Sequence, residues 1–412
     1  MSDRSRAAAE ALDATDPLAP LRARFVAQDD GVYLDGNSLG RLPHATADAL
    51  GALTREWGER LVGGWEDWIE LPVAVGDELG AATLGAAPGQ TLVCDSVTVN
   101  LFKLASAAIA RSHPAYAARA LLADPGDFPT DRYVLAGLAE RHGLELRWSI
   151  PTDAEAACAN GDVALACFSA VDYRTGALAD VAGVTAAVQA GGALMLWDLS
   201  HAVGSVEIAL DAAGADLAVG CTYKYLNAGP GAPAFLYVRE GLAAGLHSPI
   251  QGWFGAADQF AMGPAYAPDA GVARFLAGTP PIGGLVAVRS GVALLAEAGM
   301  PAVAAKGRAL TDLAAELHDA WLAPLGFAFG SPREAARRGA HVALRHPRAW
   351  PICRALIAEG VIGDFREPDI LRLGFPALYT RFADVWDGLD RVRAIVASGA
   401  HEAFDVARAR VT

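Results

Sequence analysis

The fold is decided by two neighbouring stretches, Trp197-Asp198-Leu199-Ser200-His201-Ala202-Val203-Gly204 and Cys221-Thr222-Tyr223-Lys224-Tyr225-Leu226-Asn227-Ala228-Gly229-Pro230-Gly231. An apolar run at 193–197 leads into Asp198, and a second run at 217–220 leads to Lys224 and a glycine-rich turn. Short runs of this kind, without polar residues, are typical of buried strands. The sequence therefore places a carboxylate and an amine at the carboxyl ends of two strands, either as a site or as a salt bridge beside a turn.

A carboxylate and a lysine in this arrangement suit the cofactor pyridoxal 5'-phosphate. The lysine amine forms a Schiff base with the cofactor's aldehyde, and the carboxylate keeps the pyridine nitrogen protonated, so that the ring accepts electrons. Asp198 and Lys224 alone leave both interpretations open. The other segments of the chain decide between them.

The composition describes a globular protein of 412 residues, long enough for two domains with a large core. With 53% hydrophobic and 19% charged residues, the chain is not of the disordered class. A net charge of −14 argues against a nucleic-acid binder, because phosphate would be repelled. Apolar runs stay below the ~18–20 residues of a membrane span, and the N-terminus has no apolar signal segment. We therefore expect no membrane partner and a cytoplasmic location.

Cysteine and histidine spacing predicts no metal site. The five cysteines have no CxxC spacing, and the nine histidines are scattered without an HExxH pattern. Several of the cysteines lie in or beside apolar runs, where a small buried thiol is the usual state. Free thiols fit a reducing compartment.

Seven apolar runs predict the strands of one sheet: 91–94, 119–123, 145–150, 163–168, 193–197, 217–220 and 234–238. Helical patterns between several of them predict a mostly parallel sheet that is covered on both faces. Such sheets bind ligands beyond the carboxyl ends of their strands. The residues that fall just after these runs are Phe128, Asp131, Ser169, Asp198, Thr222 and Lys224. Their shared position supports a site more strongly than any one of them.

A phosphate site is predicted where the first of these strands ends. Residues 95–100, Asp-Ser-Val-Thr-Val-Asn, begin a predicted helix that runs to about residue 111. Free backbone N–H groups, the helix dipole and hydroxyl side chains all favour a bound phosphate. An ordinary helix cap is the alternative.

Several spaced motifs resemble the kynureninase family, whose members are pyridoxal phosphate enzymes of the aspartate-aminotransferase-like fold (fold type I). The resemblance covers nearly the whole chain and rests on 34–40, 98–101, 128–131, 198–204, 223–229, 252–253, 278–281 and 371–372. It implies an α/β fold with a mostly parallel seven-stranded sheet in a large domain and a smaller α+β C-terminal domain. The implied division is an N-terminal segment 1–45 that contributes to the small domain and the active site, a large cofactor-binding domain 46–282 and a small domain 283–412.

The same resemblance implies an activity. The family cleaves L-kynurenine, or 3-hydroxykynurenine, with water to anthranilate or 3-hydroxyanthranilate and L-alanine, a step of tryptophan catabolism in the kynurenine pathway that also serves NAD biosynthesis. Two other pyridoxal phosphate activities, cysteine desulfurase and aminotransferase, remain alternatives within the fold, and a catalytically idle cofactor-binding scaffold is an alternative of another class. A desulfurase needs a nucleophilic cysteine in a late mobile loop, whereas Cys353 lies at a predicted helix start.

The resemblance also assigns roles to residues. Lys224 is the Schiff-base lysine, Asp198 pairs with the pyridinium nitrogen, and Tyr223 is a proton donor; these three are the expected catalytic residues. The cofactor-binding residues implied are Val97, Thr98, Phe128, Asp131, Ser169, Asp198, His201, Tyr223, Lys224, Trp253 and Thr279. The substrate-binding residues implied are Asn37, Ser38 and Arg372, with Arg372 holding the α-carboxylate as a bidentate fork. Plain packing remains the alternative for Phe128, His201 and Trp253.

Two further implications concern subunits and variation within the family. In this fold some cofactor ligands come from the partner subunit, which implies a homodimer with shared active sites. Asp172 stands where family members often have histidine or asparagine. Thr279 and the stretch around Trp65 are typical of bacterial forms, and they leave the preference between the two substrates open.

Overall fold

A computed structural model of the protein describes residues 4–27, 31–112 and 119–404. The predicted N-terminal segment and C-terminal domain extend in part beyond these described residues. Strands β1 to β13 are Val32–Tyr33, Thr91–Val93, Ala120–Ala123, Glu145–Trp148, Val163–Ser169, Leu194–Asp198, Leu217–Gly220, Phe235–Val238, Ala328–Phe329, His341–Arg345, Val361–Ile362, Asp364–Arg366 and Ile370–Gly374. Helices α1 to α12 are Arg6–Ala14, His44–Arg60, Trp65–Trp68, Leu71–Leu79, Val97–Ser112, Pro129–His142, Ala154–Cys158, Val181–Ala190, Ile282–Ala298, Met300–Leu317, Ala349–Ala358 and Phe382–Ser398.

The large domain is built on a seven-stranded sheet in the order β2-β8-β7-β6-β5-β3-β4. Only β8 runs antiparallel to its neighbours, and the other described pairs are parallel. The predicted mostly parallel sheet is therefore confirmed. The central strands are apolar on both sides because helices cover both faces, as parallel sheets require.

Side chains that alternate along each strand divide the core of the large domain in two. In β6, Trp197 belongs to the core on one face and Leu196 to the core on the other. The indole N–H of Trp197 donates to Oγ1 of Thr185 at 3.0 Å, so its one polar atom is satisfied. With both faces buried, the carboxyl ends of the strands are the part of the sheet left for ligands.

The small domain is an antiparallel sheet in the order β12-β13-β10-β9, with its own core. The N-terminal segment joins it, because β1 pairs in parallel with β11. The same segment then reaches the large domain, where the backbone N–H of Gly40 donates to the carbonyl of Tyr223 at 2.8 Å. The buried side chains of α9 lie in the core of the large domain. Along α10, the buried side chains from Leu310 onward lie in the core of the small domain. The division at residue 283 remains a prediction.

The paired glycines at 63–64 predict a loop over residues 61–72, and this prediction is wrong. They contain a 3₁₀ turn, Leu61–Gly64, and helix α3, and the Trp65 and Trp68 rings meet edge to face at 5.8 Å. Gly64 is needed there, because a Cβ at this position would lie 2.4 Å from the Trp68 ring.

Among the described residues, no single helix is long and apolar enough to cross a membrane. By length and composition alone, the pair α9–α10, bent by 83°, passes that test together.

Candidate active site

A cavity of about 160 Å³ opens at the carboxyl ends of β5 and β6, where the strand register places Ser169 beside Asp198. This edge is where open parallel sheets bind ligands. The cavity is lined by Ser96, Val97, Thr98, Phe128, Thr130, Ser169, Val171, Tyr173, Asp198, Ser200, His201, Cys221, Tyr223, Lys224, Ala232 and Ala234. Most of the predicted cofactor-binding residues are therefore brought together.

Inside the cavity, Lys224 contacts His201. The Nζ of Lys224 lies 2.9 Å from Nε2 of His201. Because the lysine donates, Nε2 accepts and the ring proton lies on Nδ1, which has no partner among the described residues. Burial, and next the positive charge of Lys224, lower the pKa of His201 well below its usual value, so the imidazole is neutral. A buried N–H without a partner is expected where a bound group completes the site.

Three buried carboxyl groups lie together at the strand ends. Asp198 faces the cavity, and its Oδ1 accepts a hydrogen bond of 2.6 Å from the backbone N–H of Ser200. Burial, and next the nearby charges of Asp198 and Asp127, raise the pKa of Asp131 well above its usual value, and neither of its oxygens has a donor among the described residues. Burial raises the pKa of Asp127 to about 7. Burial therefore favours the protonated form of Asp131 beside the carboxyl group of Asp198.

The N-terminus of α5 forms the predicted phosphate end of the cavity. Val97 and Thr98 occupy its first turn and line the cavity. The Ser96 hydroxyl accepts from the backbone N–H of Val99 at 3.4 Å, so the helix is capped and the phosphate prediction does not depend on that serine. The remaining N–H groups of the first turn have no helical partner and favour an anion.

Phe128 and Tyr173 form an aromatic corner of the cavity. Their ring centroids are 5.3 Å apart and the planes are nearly perpendicular, at 88°. Phe128 is 42% exposed, so one ring face is open to a planar ligand. Tyr223 lines the same cavity, and burial, and next Cys221, raise the pKa of its phenol, which therefore keeps its proton.

Trp253 and Thr279 lie outside the cavity of their own chain. Their two segments pack together, since the backbone N–H of Phe254 donates to the carbonyl of Ala277 at 3.3 Å. A Cβ at Gly252 would lie 1.9 Å from that carbonyl oxygen, so this contact requires glycine. Trp253 is 42% exposed. These two predicted cofactor-binding residues, for which the family resemblance implies contact with the phosphate, thus lie on packed segments outside the cavity.

Arg372 is 1% exposed, and Asp364, directly opposite on β12, balances its charge. Nε donates to Oδ1 at 2.9 Å and Nη2 donates to Oδ2 at 2.5 Å. Nη2 also donates to the Ser38 hydroxyl at 3.0 Å, and Nη1 donates to the carbonyl of Tyr173, a cavity residue. The side-on fork that was expected to hold a substrate carboxylate is filled by Asp364. One N–H, on Nη1, remains without a partner among the residues that the structure describes.

More charges surround this arginine. Arg366 also donates to Asp364 at 2.6 Å, and although burial opposes it, Arg372 keeps the pKa of Asp364 below its usual value. Burial, and next Asp364, raise the pKa of Asp35 to about 7. Asn37 is fully buried beside Gly374, and neither of its amide atoms has a partner within the described ranges. The predicted substrate residues thus lie in a polar cluster that adjoins the cavity through Tyr173.

Three residues of the site were missed from the sequence. Asp127 directly precedes Phe128, and its place after an apolar run was a usable signal. Tyr173 directly follows Asp172, and only Asp172 was singled out from the sequence. Asp364 could be found only from the pairing of β12 with β13, which the sequence does not give.

The residues present fit pyridoxal phosphate. Lys224 would carry the aldehyde carbon, Asp198 would face the ring nitrogen, and the first turn of α5 would hold the phosphate. The open face of Phe128 would stack on the ring. The unpartnered N–H of His201 is a donor that this group can satisfy.

Comparisons with known proteins identify the family of the chain. A family model described as the kynureninase C-terminal domain matches residues 303–392, and one described as aminotransferase class-V matches 138–339. A kynureninase of Burkholderia pseudomallei (strain 1106a) is 43% identical over 417 residues, with 99% of this chain and all of the relative covered. A kynureninase of Pseudomonas fluorescens is 42% identical over 385 residues, covering 92% of each chain.

Solved structures show the same fold at low identity. A cysteine desulfurase from Thermococcus onnurineus NA1 superposes with a TM-score of 0.79 at 17% identity, covering 92% of this chain and 98% of that one. A C-DES variant with glycine linked to its PLP cofactor gives a TM-score of 0.76 at 15% identity, with 91% and 98% covered. These two matches concern the architecture alone.

Proposed function

This chain belongs to the kynureninase family, and we propose that it cleaves L-kynurenine with water to anthranilate and L-alanine, using pyridoxal phosphate. The observation that carries the proposal is the cavity at the strand ends, where Lys224, Asp198 and the first turn of α5 meet. Relatives that carry this activity in their names match over nearly the full length. The bacterial type of Thr279 leaves 3-hydroxykynurenine as a second substrate to be tested.

Each catalytic role follows from a contact in the cavity. The cofactor supplies an electron sink for the bond that breaks. Lys224, next to a neutral His201, is placed to take the α-proton of the substrate once its amine is free. Tyr223 keeps its phenolic proton and is placed to deliver it to the β-carbon. Asp198, beside Asp131, whose pKa burial raises, would supply the negative charge that pairs with the ring nitrogen.

Arg372 binds the substrate α-carboxylate through one N–H of Nη1. Its Nε and Nη2 donate to Asp364, and the one N–H without a partner among the described residues is on Nη1, which also donates to the carbonyl of the cavity residue Tyr173. The Ser38 hydroxyl, which accepts from Arg372 and donates to Asp364, lies beside the same guanidinium. Asn37, whose two amide atoms have no partner in the described part of the chain, completes the polar wall.

The enzyme acts as a homodimer with shared active sites. The support is the position of Trp253 and Thr279, which lie outside their own cavity although the family uses them at the phosphate. Several large apolar side chains are also exposed, among them Trp57, Val62, Phe260 and Met262. Burying them against a second copy would remove an unfavourable surface. On family grounds, the reaction belongs to tryptophan catabolism in the cytoplasm.

A desulfurase activity has less support. Cys353 lies inside α11, is fully buried, and burial raises its pKa to about 12. A nucleophilic cysteine needs an accessible thiolate. A catalytically idle scaffold also has less support, because Lys224, Asp198 and Arg372 are all present and the last two are held by partners in the site.

One experiment tests the activity. L-Kynurenine and 3-hydroxykynurenine are supplied in parallel, and the fluorescence of the anthranilate product is followed. We expect turnover by the wild type and none by Lys224→Ala, while Lys306→Ala, a change at a lysine outside the cavity, leaves turnover in place. Turnover of kynurenine by Lys224→Ala would overturn the assignment of the lysine.

A further inference from the structure

Lysine is rare in this chain, and one of its lysines is buried behind the phosphate end of the site. The sequence contains three lysines, Lys103, Lys224 and Lys306, against thirty arginines. Lys103 is fully buried on α5, the helix whose first turn faces the cavity. Its ammonium donates to Oδ2 of Asp95 at 2.7 Å and to the carbonyl of Phe275 at 2.5 Å, and it lies 3.6 Å from the Cys94 sulfur.

The first of these contacts holds residues 95–98, which we call the phosphate turn. Asp95 has a φ of +46°, a left-handed conformation that a non-glycine residue adopts only at some cost. Its carboxylate is the anion that pairs with the buried ammonium of Lys103. Ser96, Val97 and Thr98, which line the cavity, follow directly. The ion pair therefore fixes the backbone from which the phosphate donors project.

The second contact holds the segment that carries Thr279 and supports Trp253. Phe275 ends a 3₁₀ turn, Val272–Phe275, and four residues later the chain reaches Thr279. Ala277, between them, accepts from the backbone N–H of Phe254 at 3.3 Å, which fixes the turn that contains Trp253. One ammonium thus joins the two surfaces that the family uses to bind the phosphate.

We infer that Lys103 is a positioning residue for two active sites at once. Through Asp95 it orders the phosphate turn of its own cavity. Through the Phe275 carbonyl it orders the Trp253 and Thr279 surface, which serves the cavity of the second subunit. The inference rests on the shared dimeric site proposed above.

The chemistry of lysine suits this junction. An ammonium has three donors around one point charge and can reach a carboxylate and a carbonyl in different directions, whereas a guanidinium is planar. Removing it would leave the Asp95 carboxylate without its counter-ion and a buried carbonyl without its donor, and both groups would move toward water. The first turn of α5 and the 272–279 segment would then lose their fixed relation.

Cofactor affinity is the first readout. We expect Lys103→Met to bind pyridoxal phosphate at least tenfold more weakly than the wild type. Lys306→Met is the matched control, because Lys306 is also buried and paired, 2.6 Å from Asp16, but lies away from the cavity. It should lose thermal stability and keep the wild-type affinity. Equal affinity in Lys103→Met and the wild type would overturn the inference.

Mixed dimers separate the two sites. One subunit carries Lys224→Ala, so borohydride can attach the cofactor covalently only to the other subunit, which we call the labelled subunit. Mass spectrometry measures the fraction of this subunit that carries the cofactor. The dependence of that fraction on cofactor concentration gives the affinity of one cavity. Lys103→Met is placed either in the labelled subunit or in the Lys224→Ala subunit. We expect weaker binding in both arrangements. An effect confined to the labelled subunit would overturn the role in the partner's site.

Asp95→Asn provides a second variant if Lys103→Met does not fold. It weakens only the link to the phosphate turn, so it should lower affinity when placed in the labelled subunit and leave it unchanged in the other. An effect from the other subunit would contradict the assignment of two separate contacts. A fully active monomer would overturn both the shared active site and this inference. The proposed cleavage of kynurenine would be unaffected by that result.

Discussion

Replacing Asp127 with asparagine should stabilise the cofactor-free enzyme, and the gain should grow with pH. Asp127 is 4% exposed, and burial raises its pKa to about 7, against about 3.9 in an unfolded chain. Because the native carboxyl keeps a proton that the unfolded chain releases, folding is penalised progressively from about pH 4 to about pH 7 and by a constant amount above it. Asparagine is neutral in both states and carries no such penalty.

The size of the gain follows from this difference in pKa. About three units at about 1.4 kcal/mol each give roughly 4 kcal/mol in the free energy of unfolding above pH 7, and about 1.5 kcal/mol at pH 5. The backbone N–H of Ser169 donates to the carboxylate at 3.3 Å. The amide oxygen of asparagine can accept the same bond, so little of the gain is lost.

Urea unfolding of the two cofactor-free proteins at pH 5, 6, 7 and 8 measures the difference. Asp384→Asn is a control for which the opposite change in stability is expected. Burial raises the pKa of the Asp384 carboxyl, but Arg381 and Arg22 lower it more, so the pKa lies below its usual value. Its ionised form therefore stabilises the protein above about pH 4, and its loss should destabilise at all four values. A gain for Asp127→Asn that does not rise with pH would refute the reasoning.

Three changes test the assigned roles. Arg372→Met should raise the KM for kynurenine about a hundredfold, because hydrogen bonds to charged groups contribute about 1.5–3 kcal/mol each; an unchanged KM in the anthranilate assay would place the carboxylate elsewhere. Tyr223→Phe should lower kcat by about 10²–10⁴ with the cofactor still bound, and rapid turnover would rule out the phenol as proton donor. Thr98→Val should weaken cofactor affinity about tenfold in a fluorescence titration, since one hydroxyl hydrogen bond is lost; wild-type affinity would remove Thr98 from the phosphate site.

Much of the large domain could be predicted because its signals are local. Apolar runs that end in Ser169 and Asp198 identify both the strands and the edge where they finish. Two buried faces leave that edge as the ligand site, which is why Phe128 and Lys224 were also found. The first turn of α5 followed from the dipole and the hydroxyl at Thr98.

The remainder depends on pairing that the sequence does not show. Asp364 meets Arg372 only because β12 and β13 share a register, and an aspartate in a short strand carries no local signal. The loop expected at 61–72 is helical because Trp65 and Trp68 pack on each other, which outweighs the glycines before them. Trp253 and Thr279 lie apart from their own cavity, since the segments that carry them belong to a different surface.

The N-terminal segment has a mechanical consequence. Residues 32–33 are bonded to β11 of the small domain, and Gly40 is bonded to the carbonyl of Tyr223, the residue before Lys224. A Cβ at Gly40 would lie 2.3 Å from the carbonyl oxygen of Lys224, so the two backbones are in direct contact. The segment at residues 32–40 therefore joins the small domain directly to the backbone beside Lys224. A truncation that stops before residue 31 keeps this connection, whereas one that runs through Gly40 removes it.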